Sequence, residues 1–275
     1  MEQIAALDAT PLACDVYLPE RPSARAAILW LGGWSDHRTR WTRAAERLRA
    51  AGFAVYLLDQ RGQGESGGLR AYLSRFSQLL SDLQAVRRVV RRRHDVPQVL
   101  LGHSFGGLVV LRYLEMQPSD PVAAAVLSSP WLATAAPTPL AKRVLGKLLA
   151  DLWPTLRIPV GIDPARLCRD PAVVAAYTAD PAVHQVMTPG AWREIQWAQR
   201  VVPADAARIE CPLLFLLAGA DGLADAAAAR RFAETLPTGG EVSVRWYDAL
   251  YHELLLDPEW ERVVGDVEEF LGTVV

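Results

Sequence analysis

The stretch from Gln98 to Met116 constrains this chain more than any other. A short apolar run, Gln98–Leu101, leads into Gly102-His103-Ser104-Phe105-Gly106-Gly107, and a helical pattern carrying Leu108, Val109, Leu111 and Leu114 follows. The run reads as a buried strand, and Phe105 to Met116 as a helix. G-x-S-x-G by itself is a common pattern; at a junction of strand and helix it is specific. The sharp turn holds the serine hydroxyl out of the backbone, and the flanking glycines leave room for strand and helix to cross. That is the geometry of a nucleophile elbow.

The same strand–helix unit recurs on both sides. Ile4 to Leu18 reads as two short strands around a turn at Asp8-Ala9-Thr10-Pro11. Ala26–Leu31 and Phe53–Leu58 are continuous apolar runs, as expected of strands buried on both faces. Helical patterns cover Arg40–Ala51, ending at Gly52, and Phe76–Arg93. Val122–Leu127 reads as a sixth strand. Later come Pro212–Ala218 (strand), Ala224–Leu236 (helix), Glu241–Tyr247 (strand) and Pro258–Leu271 (helix). This alternation predicts an α/β fold with a mostly parallel eight-stranded sheet flanked by helices.

Between Trp131 and about Arg208 the rhythm breaks. No strand signal is present and prolines recur, from Pro137 to Pro203. One helix is expected to start with Thr138 as its cap and Pro139 in its first turn, with Leu140, Val144, Leu145, Leu148, Leu149 and Leu152 on one face. Another is expected over Pro189–Val201. The reading is therefore a core of residues 1–130 and 209–275 with a helical cap, residues 131–208, inserted after the sixth strand. The apolar face of the first cap helix, with Trp153, reads as cover for the chain's own pocket, and Leu148, Leu152 and Trp153 as substrate-pocket residues. Because Lys142, Arg143 and Lys147 flank that face, transient contact with a membrane surface is the second reading.

Composition removes several classes of function. The 275 residues are 51% hydrophobic and carry a net charge of -2, which argues against a nucleic-acid binder. The basic run Arg87, Arg88, Arg91, Arg92, Arg93, His94 reads as a solvated helix end, where cations are favoured. Cys14, Cys168 and Cys211 are odd in number and far apart, so they suggest neither zinc spacing nor a disulfide framework. No secretory pattern opens the sequence and no run of 18 apolar residues occurs, so a cytoplasmic setting without a membrane span is expected. The loop Asp59–Gly68 is rich in glycine but lacks a P-loop lysine and the helix start of a dinucleotide fingerprint, so it reads as a structural turn. No metal set and no cofactor are expected, and the oligomeric state is left open.

A serine hydroxyl needs a base, and the base needs an orienting group. After an elbow of this kind the expected order is serine, acid, histidine. His252, in the loop between the last strand and last helix, is the expected base. His37 is expected to support its own loop, His103 to point away from its neighbour, His94 to sit at the basic helix end, and His184 in the cap. Asp221, directly after the penultimate strand, is the expected acid. Asp225, four residues on, is placed to serve a helix start. An oxyanion hole needs N–H donors; Phe105, after the nucleophile, and Trp34, in the loop Gly32-Gly33-Trp34-Ser35-Asp36-His37, are the expected pair.

These blocks resemble those of the α/β-hydrolases of the monoacylglycerol lipase and lysophospholipase group, also grouped with serine aminopeptidase-like hydrolases. Gly32–His37 resembles H-G-x-x-E/D-H, Asp59–Ser66 resembles D-x-R-G-H-G-x-S, and Gly102–Gly106 is the elbow. Asp180–His184 with Thr188-Pro189 is also similar, and Asp221 and His252 fall on the remaining triad positions. Two departures stand out: Gly32 replaces the family's first histidine, and the bulky Trp34 follows Gly33. The resemblance implies a cofactor-free serine hydrolase acting on small-molecule carboxylic esters, with a hydrophobic acyl chain as in monoacylglycerols or lysophospholipids. Amide or peptide hydrolysis, perhydrolysis, and non-catalytic ligand binding are the alternatives.

Overall fold

The computed structural model of the chain describes residues 1–21, 23–116, 120–136, 138–237 and 241–275. Pro137 of the proline series lies outside the described residues. In chain order the elements are β1 (Glu2–Ala5), β2 (Pro11–Tyr17), β3 (Ala27–Leu31), α1 (Thr42–Ala50), β4 (Ala54–Leu58), α2 (Ser77–Arg93), β5 (Gln98–His103), α3 (Phe105–Met116) and β6 (Ala124–Ser128). Then follow α4 (Leu140–Leu152), β7 (Ile158–Pro159), α5 (Pro171–Ala179), β8 (Val186–Met187), α6 (Pro189–Asp205), β9 (Leu213–Ala218), α7 (Ala226–Thr235), β10 (Val242–Tyr247) and α8 (Trp260–Val274).

Eight strands form one sheet in the order β1-β2-β4-β3-β5-β6-β9-β10. The first two run antiparallel to their neighbours; the remaining pairs are parallel. The run in β3 is continuously apolar because both of its faces are covered. Ala27, Leu29 and Leu31 pack into the cluster under α2, α3, α6 and α7, while Ile28 and Trp30 pack into the cluster under α1 and α8. Parallel pairing brings the C-terminal ends of β3, β5, β9 and β10 to one edge of the sheet, where crossover loops gather and ligands bind in such folds.

The segment between β6 and β9 departs from expectation in four ways. It contains a two-stranded antiparallel ribbon, β7 with β8, pairing Ile158 with Met187 and Pro159 with Val186. Strands of two residues leave no alternating pattern to read. It contains a helix, α5, that the sequence did not signal; Asp170 caps it by accepting from the Ala172 N–H at 2.9 Å, with Pro171 at its start. Thr138 does not cap α4, whose N-cap is Pro139 with no side-chain hydrogen bond.

The apolar stripe of α4 also faces solvent. Leu148, Leu152 and Trp153 are 53%, 73% and 59% exposed. The reason is the neighbour: the Trp192 ring of α6 lies 3.1 Å from where a Cβ of Gly146 would be, and Ala150 is buried. The helix turns Gly146 to that ring and buries Ala150, and the leucines turn outward.

The basic end of α2 is only partly solvated. Arg87 is fully buried and donates to the Gln98 side chain, the Tyr113 hydroxyl, Asp120 and the Pro121 carbonyl at 2.7–3.1 Å. Burying a guanidinium is tolerated because each face of its fork has an acceptor.

Candidate active site

Ser104 sits between β5 and α3 with φ at 51°, in the left-handed region. A non-glycine residue held there is strained, and surrounding structure must enforce it. The enforcement is visible. The Ser104 N–H donates to the Ser128 carbonyl at 2.9 Å, and the Ser104 carbonyl accepts from the Trp131 and Leu108 N–H groups. The flanking glycines have no room for a side chain: a Cβ on Gly106 would lie 2.3 Å from the Leu31 carbonyl oxygen, and one on Gly102 would lie 2.5 Å from the Gly106 carbonyl oxygen.

His252 arrives from the loop after β10. Its backbone carbonyl accepts from the Ser129 hydroxyl at 2.9 Å, and its Nδ1 lies 2.7 Å from Asp221 Oδ2. The other oxygen of Asp221 accepts from the Leu223 and Ala224 N–H groups at 2.8 and 2.9 Å. Burial alone would push the His252 imidazole down; the charge and hydrogen bond of Asp221, aided by Glu253 and Asp36, outweigh it and hold the pKa above the ordinary histidine value. Burial would raise the Asp221 carboxyl, but the His252 charge and three hydrogen bonds leave it below its usual range. Asp225 instead caps α7, accepting from the Ala228 N–H at 2.9 Å.

The loop after β3 lies directly against the elbow. The Gly106 N–H donates to the Gly32 carbonyl at 3.1 Å, and a Cβ on Gly33 would lie 3.5 Å from that of Ser104. The Trp34 ring meets Phe105 edge-on at 5.2 Å between centroids, and its Nε1–H donates to the Val186 carbonyl at 2.9 Å. The two residues expected to offer oxyanion N–H groups are therefore neighbours. Gly32, where the family motif has histidine, faces a filled space: Asp36 Oδ2 lies 2.9 Å and Trp41 Nε1 3.3 Å from its would-be Cβ. The Trp41 Nε1–H donates at 2.9 Å to Asp36 Oδ2, the same oxygen that accepts from the Gly33 N–H, so the indole helps hold this loop.

The remaining histidines separate cleanly. His37 reaches Asp180 Oδ2 at 2.7 Å through Nε2 and the Thr39 hydroxyl at 2.9 Å through Nδ1. His94 pairs with the Tyr56 hydroxyl at 2.7 Å, and His184 with Gln63 Oε1 at 2.6 Å. His103 is buried between Trp41 and His252, 4.9 Å from each ring centroid. Burial, then the neighbouring His252, push its pKa well down, so it packs on His252 as a neutral ring.

Ser104 and His252 line one cavity of about 340 Å³, within the range of small-molecule sites. Trp131, Val160, Ile162, Leu167, Met187 and Trp192 supply much of its apolar wall, all from the segment between β6 and β9. Asp36, Arg40 and Glu253 line it beside His252. Leu148, Leu152 and Trp153 are not among the lining residues; their pocket role is overturned because α4 turns them outward. No cluster of metal-ligating side chains occurs among the described residues. Asp36, Arg40 and Glu253 were not singled out from the sequence as interacting groups. The His252-Glu253 adjacency was visible, but nothing in the chain pairs it with a residue 213 positions earlier.

Sheet order, elbow and strand-end loops define an α/β hydrolase. The sequence model described as Serine aminopeptidase, S33 matches residues 22–259, and the chain belongs to that family. It is 32% identical, over 94% of its length and 91% of the other's, to a protein named monoacylglycerol lipase from Mycolicibacterium smegmatis. It is 28% identical over 89% of its length, and 94% of the other's, to phospholipase YtpA of Bacillus subtilis. The crystal structure of Paleococcus ferrophilus monoacylglycerol lipase superposes with a TM-score of 0.84 at 30% identity, covering 96% of this chain and 99% of that one.

Proposed function

We propose that this chain hydrolyses carboxylic esters through an acyl-enzyme on Ser104. The observation that carries this reading is the 2.7 Å pairing of His252 Nδ1 with Asp221 in a cavity shared with Ser104. With Nδ1–H donating to Asp221, Nε2 is left to take the serine proton. Ser104 attacks the ester carbonyl. The oxyanion is met by the Trp34 and Phe105 N–H groups. His252 returns the proton to the leaving alcohol, then activates water to release the acid. The chemistry calls on no metal or cofactor.

Residues 131–208 act as a cap in this reading, because they supply the apolar wall over Ser104. That wall, and the relatives named for monoacylglycerol and phospholipid hydrolysis, favour esters with a hydrophobic acyl chain, of monoacylglycerol or lysophospholipid type. The outward leucines of α4, bordered by Lys142, Arg143 and Lys147, are suited to touching an anionic lipid surface where such substrates reside. No helix among the described residues is long and apolar enough to cross a membrane.

A p-nitrophenyl ester series from acetate to palmitate, with the matching aryl amide, tests the reading. Ester turnover that rises with chain length and disappears in Ser104→Ala supports it. Preference for the amide, or turnover that survives in Ser104→Ala, overturns it.

A further inference from the structure

Three buried charges beside His252 are not used in the chemistry above. Arg40, in the short 3-10 turn that follows the oxyanion loop, donates through Nη1 to Asp36 Oδ1 at 3.0 Å and Glu253 Oε1 at 2.7 Å, and through Nη2 to Glu253 Oε2 at 2.6 Å. The side chains of Arg40, Asp36 and Glu253 are 9%, 5% and 4% exposed. The guanidinium also lies over the Tyr177 ring, 4.8 Å from its centroid. Two-pronged pairing of this kind fixes orientation as well as distance.

The two acids reach different parts of the site. Asp36 accepts from the Gly33 N–H at 3.1 Å and the His37 N–H at 2.8 Å, so it fixes the loop that carries Trp34. Glu253 directly follows His252, and its own N–H donates to the Leu167 carbonyl at 2.8 Å. Arg40 therefore ties the oxyanion loop after β3 to the base loop after β10. We infer that Arg40 is a positioning residue, clamping Asp36 and Glu253 so that the oxyanion N–H of Trp34 and the imidazole of His252 are held in register across Ser104.

The clamp has a second effect. Two carboxylates and one guanidinium leave one net negative charge, buried, beside His252. The charged or titratable groups facing His252 are then Asp221 from the loop after β9, His103 from the end of β5, Asp36 and Arg40 from the region after β3, and Glu253 on its own loop. Of these, Asp221, Glu253 and Asp36 favour the imidazolium that forms during acylation. A low-dielectric setting makes such fixed charges effective.

The inference rests on the serine-hydrolase reading, and the test separates the two. Arg40→Lys and Glu253→Gln are assayed with p-nitrophenyl butyrate across pH, beside wild type and Ser104→Ala. Arg40→Lys keeps the charge but loses the fork; its kcat should fall about tenfold to a hundredfold, the scale of an ångström of misplacement, with KM within about twofold. Glu253→Gln keeps shape but removes a charge; the acid limb of its kcat/KM profile should move to lower pH. Should Arg40→Lys not fold, Glu253→Gln decides alone. Folded variants whose profiles and kcat superimpose on wild type overturn the clamp while Ser104-dependent turnover leaves the hydrolase reading standing. Turnover retained in Ser104→Ala overturns that reading instead.

Discussion

Asp221 holds His252 by one carboxylate oxygen at 2.7 Å and is itself held by two backbone N–H groups on the other. The acid cannot swing without losing three hydrogen bonds, so the ring it orients is fixed in plane and tautomer. Asp221→Asn should therefore cost about 10⁴ in kcat. Asp225→Asn should leave kcat near wild type and lower stability by about 1 kcal/mol or less, since Asp225 caps α7. Steady-state kinetics and thermal melts on both variants check this; the reverse ranking misplaces the acid.

Activity should require neutral His252. Its pKa lies above the ordinary histidine value because Asp221, Glu253 and Asp36 outweigh the effect of burial. As pH falls through that raised pKa, the imidazole charges and kcat/KM is lost. The same ring, charged, contributes stability that is fully present below about pH 6.5, the unfolded value, and is lost as pH rises through the folded pKa. A pH series of kcat/KM beside Tm should show the acid limb above 6.5, and in Asp221→Asn that limb should move down. A wild-type limb below 6.5 contradicts the balance of charges.

Chain-length preference should reside in Trp192 and Met187, which line the cavity, and not in Leu148 or Leu152. Each methylene buried contributes about 0.8 kcal/mol at best, about fourfold in kcat/KM. Met187→Ser should flatten the rise from acetate to longer esters while acetate hydrolysis stays within severalfold of wild type. Equal loss at every length would show that Met187 acts on fold or catalysis rather than on the acyl chain.

The face of α4 gives a separate outcome. Co-sedimentation with phosphatidylserine-containing vesicles should retain wild type and lose much of the Leu148→Ser/Leu152→Ser variant. Hydrolysis of soluble short esters by that variant should match wild type, because both side chains are outside the cavity. Equal sedimentation of the two proteins removes the lipid-surface role.

The sheet was legible because a strand buried on both faces, such as Ala27–Leu31, leaves an uninterrupted apolar run that local sequence displays. Ser104, Asp221 and His252 were legible because each lies where a strand ends. The orientation of α4 was not: its leucine stripe looks like a core face until Trp192, 46 residues beyond Gly146, claims the small-residue side. The Arg40 clamp was hidden for the same reason. Its two carboxylates come from chain positions 36 and 253, and only the folded sheet brings those loops together.

The most direct measurement is covalent labelling with a fluorophosphonate followed by peptide mass spectrometry. The account predicts one adduct, on Ser104, with stoichiometric loss of ester turnover, and no labelling of a folded Ser104→Ala protein, whose turnover should be down about 10³ or more. An adduct on another serine, or full turnover in a protein labelled at Ser104, contradicts it.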